Sequence, residues 1–450
     1  MKKHNLVFII ALILGLMLLT LSGCGGGGGG GGTETVPPPS DPVTPPADPD
    51  NTVNKDPLAG SEIDGLDLEQ PGRPTVATDG TVFLVVSATT AADGTSKLVG
   101  IIDSDPFTGT TFPDDWTIAI ADLQDNATSS RPAAIFNGTH YCVVFQDGGS
   151  IYAQLIETDG NLLGTKQTLS SGDGNYLPVM AYDDDDLNQQ ALVVWVKYMD
   201  ESVNYYDLYS ALISFDNLSG NIAKERLEES LLGLQAGDQN EPAVAFDGTN
   251  YLVLWRQWTD TSQNITLASD IYGARVEATN GTVVGDQFVV SAAPGGQAEP
   301  QLAFDGTNYL AVWSDLRNAT TTGYDIYGSR ISMGGDVLEA DGIAINTASA
   351  PIQNFPTVTW NGINFVVAWA NLDPDTPSNS GIYADAVSTE GSVYSRENAP
   401  TTLGYEISEQ PPEGTLYIYP VASDILITWV DLSGQNLLGG LFDIYYPSPQ

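Results

Sequence analysis

Short apolar runs with period-two alternation recur along the chain, each pair divided by a polar turn. The clearest copy is PQLAFDGTNYLAVWSD, Pro300 to Asp315. On an extended strand Tyr309, Ala311 and Trp313 point one way and Leu310 and Val312 the other, so both faces are apolar and both must be covered. A further run, DIYGSRI, follows from Asp325 to Ile331, and weaker copies of the whole unit recur on both sides of it. The chain is therefore read first as an internal repeat.

Each copy opens on a proline: Pro74, Pro132, Pro178, Pro242, Pro300, Pro356 and Pro420. Within a copy a first extended run meets a turn and a more hydrophobic second run, as in AFDGTNYLVLW (Ala245 to Trp255), IFNGTHYCVVF (Ile135 to Phe145) and TWNGINFVVAW (Thr359 to Trp369). Asp-Gly or Asn-Gly between β-rich runs predicts a hairpin, because glycine accepts the positive φ of a tight turn. A third run begins near Lys97, Ser150, Asp207, Asp270, Asp325, Gly381 and Asn436, and a less regular fourth precedes the next proline, as in Gln287 to Ala293 or Gly342 to Ala348.

Four short antiparallel strands per unit of roughly fifty to sixty residues predict an all-β chain, a single seven-bladed β-propeller with four antiparallel strands per blade. Blades packed face to face cover both sides of the second strand, which tandem sandwiches do not. The third position after the proline is small in Ala77, Ala181, Ala245, Ala303, Thr359 and Ser423, with Ile135 departing, as a crowded ring centre requires. The seventh copy stops at its third strand, so an N-terminal strand, Ile63 to Glu69, is expected to complete the last blade and leave no open edge. A solenoid is the alternative and would need two capped ends.

Residues 1–23 read as a signal peptide: Lys2 and Lys3 precede an apolar run from Leu6 to Leu21 that is short for a membrane span. The run ends in Leu21-Ser22-Gly23-Cys24, which resembles the lipobox of bacterial lipoproteins. That resemblance implies lipidation of Cys24, cleavage before it, and stable anchoring by several acyl chains. Gly25, not aspartate, at the next position implies sorting to the outer membrane of a Gram-negative envelope. A plain secretory signal with an incidental cysteine is the alternative. Residues 24–58, unbroken glycine and then a proline-rich acidic stretch, form a tether, and 59–450 form the propeller.

Charge then narrows the partners. The formal net charge is −42, and removing Lys2 and Lys3 makes the mature chain two units more negative. Such a surface repels nucleic acid, so none is expected as a partner. The bland reading is solubility; the pointed one is attraction of divalent cations or a cationic partner. Cys142 is the one cysteine besides Cys24, aligns with Leu252 and Leu310, and reads as a buried apolar residue; His140, aligned with Asn250 and Asn308, reads as a turn residue. A Ser-His-Asp triad and a histidine-rich zinc site are thus strongly disfavoured.

What chemistry remains would rest on carboxylates. Asp184, Asp186 and Asn188 alternate in the hairpin of the third copy as oxygen ligands of Ca²⁺ often do, although the glycine and distal glutamate of a helix–loop–helix calcium site are missing. The aspartate of each DGTN turn is expected to cap its own turn. The fourth-to-first and second-to-third connections should emerge at one end of the ring, placing the pre-proline residues Arg73, Arg131, Glu241, Glu299, Phe355 and Tyr419 around the mouth of a central channel. The longer second-to-third connections of copies three to six add Tyr205, Tyr206, Trp258 and Arg317 to the ligand-binding candidates.

The pair DGTNYLxVW and DIYGxRV resembles repeats of secreted and lipid-anchored bacterial propeller proteins, strongest in copies four and five. The resemblance implies fold and export and carries no activity or catalytic residue with it. Three readings stay open: a lipid-anchored binding or scaffolding module for a protein or glycan ligand, a carboxylate-dependent carbohydrate-active or other hydrolase, with or without Ca²⁺, and a purely structural surface protein.

Overall fold

In the computed structural model the described strands group into seven antiparallel sheets. Described are residues 74–394, except 92, 104–117, 126–130, 184–188, 200–205, 217–218, 225–228, 231–236, 259–268, 348–351 and 373–379, with the backbone of 54–55, 61–62, 405–408, 417–421, 424–430 and 437–443. All of them fall in the compact unit from Asp50 to Gln450.

Sheet 1 comprises Thr75–Thr78, Phe83–Thr90, Ser96–Asp103 and Ile118–Leu123, and sheet 2 Ala133–Phe136, Tyr141–Asp147, Ser150–Ile156 and Leu162–Ser170. Sheet 3 runs through Asn175–Tyr182, Gln190–Tyr198, Tyr206–Asp216 and Asn221–Lys224, with Glu229–Ser230 added at its edge. Sheet 4 holds Gln239–Phe246, Asn250–Trp258, Ser269–Glu277 and Val283–Ser291; sheet 5 holds Gln297–Phe304, Asn308–Asp315, Asp325–Ser332 and Ile343–Asn346. Sheet 6 holds Ile352–Trp360, Phe365–Leu372, Gly381–Val387, Val393–Tyr394 and Tyr405–Ser408. Sheet 7 is built from Tyr417–Val421, Asp424–Val430 and Leu437–Asp443.

Two N-terminal segments, Asn54–Lys55 and Ser61–Glu62, pair antiparallel with Leu437–Asp443. The outer edge of sheet 7 is thus covered from the N-terminal side, but by segments earlier than the expected Ile63 to Glu69, which lies outside the described residues. First strands of successive sheets are neighbours from sheet 1 through sheet 7, and that of sheet 7 also meets that of sheet 1.

The core lies in the seams between sheets. Tyr309, Ala311 and Trp313 pack with Leu252 and Leu254 against sheet 4, while Leu310 and Val312 pack with Phe365, Val367 and Trp369 of sheet 6. The alternation read from the sequence is therefore spent on two neighbours at once. Four indoles, Trp195, Trp255, Trp313 and Trp369, are fully buried, and each finds an acceptor for its N–H. In sheets 4, 5 and 6 the acceptor stands two residues on, at Gln257, Asp315 and Asn371 (3.0, 2.8 and 3.0 Å). Sheet 3 has Lys197 at that position, which cannot accept, and Asn175 of the first strand takes the Trp195 N–H instead (2.9 Å).

The described hairpins of sheets 1, 2, 4, 5 and 6 turn on a glycine, as expected, but the corner pair is Gly-Thr, or Gly-Ile in sheet 6, and not Asp-Gly. Asp247 N–H donates to the Asn250 carbonyl, leaving Gly248 (φ 88°) and Thr249 as the two central residues. Positive φ at the first central position alone is the signature of a type II′ corner. The Asp247 carboxylate accepts the N–H groups of Thr249 and Asn250 (2.8 and 2.7 Å), and Asp79, Asn137, Asp305 and Asn361 repeat the arrangement in their own turns. His140 sits in such a turn, and Cys142 is buried in the seam between sheets 2 and 3, where burial pushes its thiol up, away from reactivity.

Candidate functional site

At one end of the sheets the first strand does not run straight. In sheets 3 to 6 its ladder slips by one residue where the residue-proline pair meets the second strand: Leu177-Pro178 opposes Trp195, Glu241-Pro242 opposes Trp255, Glu299-Pro300 opposes Trp313, and Phe355-Pro356 opposes Trp369. Two residues facing one is a β-bulge, which bends the strand and re-aims a side chain. The four pre-proline residues adopt left-handed backbone, with φ of 56°, 53°, 57° and 57°. That conformation is costly for a residue bearing a Cβ, by roughly 1–3 kcal/mol each, and persists only where surrounding structure imposes it.

Part of what imposes it is a relay of carboxylates between sheets. One oxygen of Glu241 accepts the Glu299 N–H (2.7 Å), and one oxygen of Glu299 accepts both the Phe355 N–H (2.9 Å) and the Ser314 hydroxyl (2.9 Å). The other Glu241 oxygen receives Arg256 Nη1 at 3.2 Å, and Arg256 also donates from Nε to Ser269 Oγ (3.0 Å) while stacking 3.8 Å over the Trp258 ring. Leu177, one sheet back, has no carboxylate to offer, and the Glu241 N–H turns to the side chain of Asn240 (2.8 Å). Half-buried Tyr324 stands near this group; burial first, then Glu299 and Glu241, push its phenol up against the pull of Arg256.

The bulges surround a cavity of about 150 Å³ lined by Arg131, Leu177, Val179, Glu241, Glu299, Gln301, Phe355 and the four prolines. Five sheets contribute to it. Among the expected mouth residues, the structure brings together Arg131, Glu241, Glu299 and Phe355, and adds Leu177, which sequence reasoning passed over because an apolar residue before Pro178 carries no chemical flag. Arg73 lies outside the described residues. Tyr419 does not fall at an equivalent place: its backbone pairs in regular ladder with Leu426, and Pro420 with Ile425, several residues short of Trp429. Pro420 lies close to the hairpin of its sheet, one residue before the Val421–Asp424 pair, and not at the mouth end.

The other candidates are held elsewhere. Tyr206 opens the third strand of sheet 3 rather than standing in a loop, and its ring meets Tyr176 edge-on (5.7 Å) and Tyr198 (5.2 Å). Trp258 ends a second strand under Arg256. Arg317 is locked internally: Nε and Nη2 fork onto the buried Asp315 carboxylate (2.9 and 2.8 Å), Nη1 donates to the Asp341 carbonyl (2.6 Å), and the plane lies 3.8 Å over Tyr327. Such a fork is a structural clamp as it stands. Tyr205, Cys24 and the candidate Ca²⁺ ligands Asp184, Asp186 and Asn188 lie outside the described residues.

A larger cleft of about 470 Å³ lies between Val289–Pro294 and Val337–Asp341, with Arg317 beside it. It is lined by one flank of each of two sheets, and its arginine is already committed. The mouth cavity, where five sheets converge, is the better-built site.

No protein-family model matches the chain, and no curated protein sequence matches it. Solved structures resemble it at low identity. The Dos1 propeller is 12% identical, with a TM-score of 0.42 over 85% of this chain and 94% of that one. A puromycin hydrolase is 15% identical, with a TM-score of 0.47 over 87% of this chain and 57% of its own. The arabinanase Arb43A of Bacillus subtilis is 14% identical, with a TM-score of 0.33 over 58% and 94%. None lends this chain a residue role or an activity.

Proposed function

We propose that the protein is a lipid-anchored binding module of the cell envelope, whose seven sheets are the blades of one closed ring and whose ligand site is the mouth cavity. The observation that carries this reading is the convergence of five bulged or pre-proline positions on a single preformed space. Strained backbone held by hydrogen bonds from sheet to sheet is a costly arrangement, and pre-organisation is what such cost supplies to binding. Lipidation at Cys24, outer-membrane placement and the tether to about residue 58 complete the proposal and would hold the ring off the bilayer.

The hydrolase reading has less support, because Glu241 and Glu299 are occupied in holding backbone N–H groups and Arg256. The test is thermal unfolding of the full-length chain against panels of small metabolites, peptides, glycans and Ca²⁺. A specific ligand raises the midpoint with its concentration, and Leu177→Trp, which fills the cavity, abolishes that rise. A glycan that is cleaved by the wild type and not by Glu299→Gln would replace binding with hydrolysis. For the anchor, Cys24→Ser is expected to move the protein from the membrane to the soluble fraction; retention in the membrane would refute lipidation.

A further inference from the structure

The outer strand of sheet 4, Val283–Ser291, is the last of its sheet, and the cleft of about 470 Å³ runs beside it. Successive residues of a strand point to opposite faces, so a space touched by Val289, Val290 and Ser291 in turn fronts the strand's edge and not one of its faces. An edge presents backbone N–H and C=O groups that no strand of its own sheet pairs, a template for another chain. This edge is also unguarded. From Gln287 to Pro294 the chain carries no charge, Val289 is 44% exposed, and Ala292 and Pro294 are exposed beside it. The outer strand of sheet 2 has no such space at Gly164, which lies against the Gly220 corner of sheet 3, where an added Cβ would come within 2.6 Å of the Gly220 carbonyl oxygen.

We propose that this cleft docks an extended apolar segment of a partner protein, flanked by Lys or Arg, which adds to sheet 4 as a further strand. At about 30 Å³ per water, about 470 Å³ is the space of about sixteen waters, room for a short stretch of extended peptide. Backbone pairing supplies the affinity, and Ala293 on one side with Val337 and Ala340 on the other give small apolar walls for the side chains. Charge sets the sign of the flanks. Asp341 lines the cleft, Asp336 precedes Val337, and Asp286 stands on the strand itself; all three are exposed, and the described ion pairs of sheets 4 and 5 use other carboxylates, Glu241, Asp315 and Glu339. Arg317, the one cation lining the cleft, is spent on Asp315 and the Asp341 carbonyl. A second copy of this chain carries the same strong negative charge and matches the acidic rim poorly. The cleft shares no lining residue with the mouth cavity, so the inference stands whether or not that cavity is a ligand site.

The experiment follows the fluorescence anisotropy of a labelled peptide of alternating valine and threonine, with lysines at both ends, titrated with the full-length chain. Saturable binding is expected, weakened by about ten-fold or more when the valine amides of the peptide are N-methylated, which removes backbone donors and leaves the charge unchanged. Ala292→Trp fills the cleft from an exposed position and should weaken binding by a similar factor with the unfolding midpoint unchanged, whereas Leu162→Trp, on the exposed outer strand of sheet 2, should leave binding as it was. Exchanging the peptide's lysines for glutamates should abolish binding. A peptide held only by the general negative charge of the chain would bind equally well when N-methylated, and equally well to Ala292→Trp; that result overturns the proposal. Absence of saturable binding overturns it too. So does sedimentation that shows a dimer dissociated by Ala292→Trp, which would give the edge to a second copy of the chain.

Discussion

The two ends of the sheets use the same chemical device over different distances. At the hairpin end, each Asp or Asn side chain accepts the N–H groups of its own turn, as Asp305 does for Thr307 and Asn308. At the mouth, each glutamate accepts an N–H of the next sheet, Glu241 from Glu299 and Glu299 from Phe355. A carboxylate in the turn stabilises a local conformation that the glycine already favours. One in the mouth couples two elements and holds a backbone conformation that neither sheet would adopt alone. The hairpin end is therefore many independent corners, and the mouth is one connected object.

Asp385 tests the rule that carboxylates need either arrangement, for it has neither. Fully buried on the strand face that sends Tyr383 and Val387 into the seam between sheets 5 and 6, it sits where sheets 4 and 5 have Ala274 and Ser329. Burial pushes its carboxyl up to about 8, against a weaker pull from Asn346. Because the folded form holds its proton more tightly than the unfolded one, this group's contribution is most favourable below the unfolded value near 4 and is lost as pH rises toward 8. Asp385→Asn should remove that slope and be the largest effect, on the order of 5 kcal/mol between pH 4 and pH 9. Urea midpoints of both proteins across that range check it; parallel curves would mean that Asp385 ionises as freely as in water.

Next in size is the mouth relay. Glu299→Ala strands the Phe355 N–H and the Ser314 hydroxyl and should cost about 2–3 kcal/mol, with Glu299→Gln milder because it keeps an acceptor. Chemical denaturation measures the cost. If the mouth is one connected object, Glu241→Ala and Glu299→Ala will fail to add when combined; strict additivity would reduce the relay to two separate contacts. The matching change at the other end, Asp305→Ala, should cost only about 1 kcal/mol, in the range of a lost backbone cap. Smallest is Tyr309→Phe, which removes a long 3.4 Å bond to the Asn250 carbonyl of the preceding sheet and should cost about 0.5 kcal/mol. A larger loss there would show that sheets are also stapled away from the mouth.

The comparison also sorts what could be read in the residues. The hairpin end was legible because its determinants lie within a few positions: glycine for the corner, Asp or Asn for the cap, alternating apolar residues for the paired strands. Gathering Arg131, Glu241, Glu299 and Phe355 at one mouth was legible too, because antiparallel topology forces fourth-to-first and second-to-third connections to one end. Tyr419 failed since proline alone does not fix a register, whereas the position opposite the buried tryptophan does. Sheets 3 to 6, the four with that tryptophan fully buried, are the ones whose first strand bulges among the described residues.

By itself, then, the sequence determined the strand repeat, the turns, the two apolar faces of the second strand and the order of mouth residues round the sheets, because each depends on local sterics or on periodicity. Only the tertiary structure decided the left-handed bulge before Pro178, Pro242, Pro300 and Pro356 and the glutamate relay that helps to hold it. A residue preceding proline prefers extended backbone when judged alone. Opposite Leu177, Glu241, Glu299 and Phe355 stands a buried tryptophan of the second strand, and for Glu299 and Phe355 a carboxylate from the preceding sheet holds the N–H; neither lies nearby in the chain.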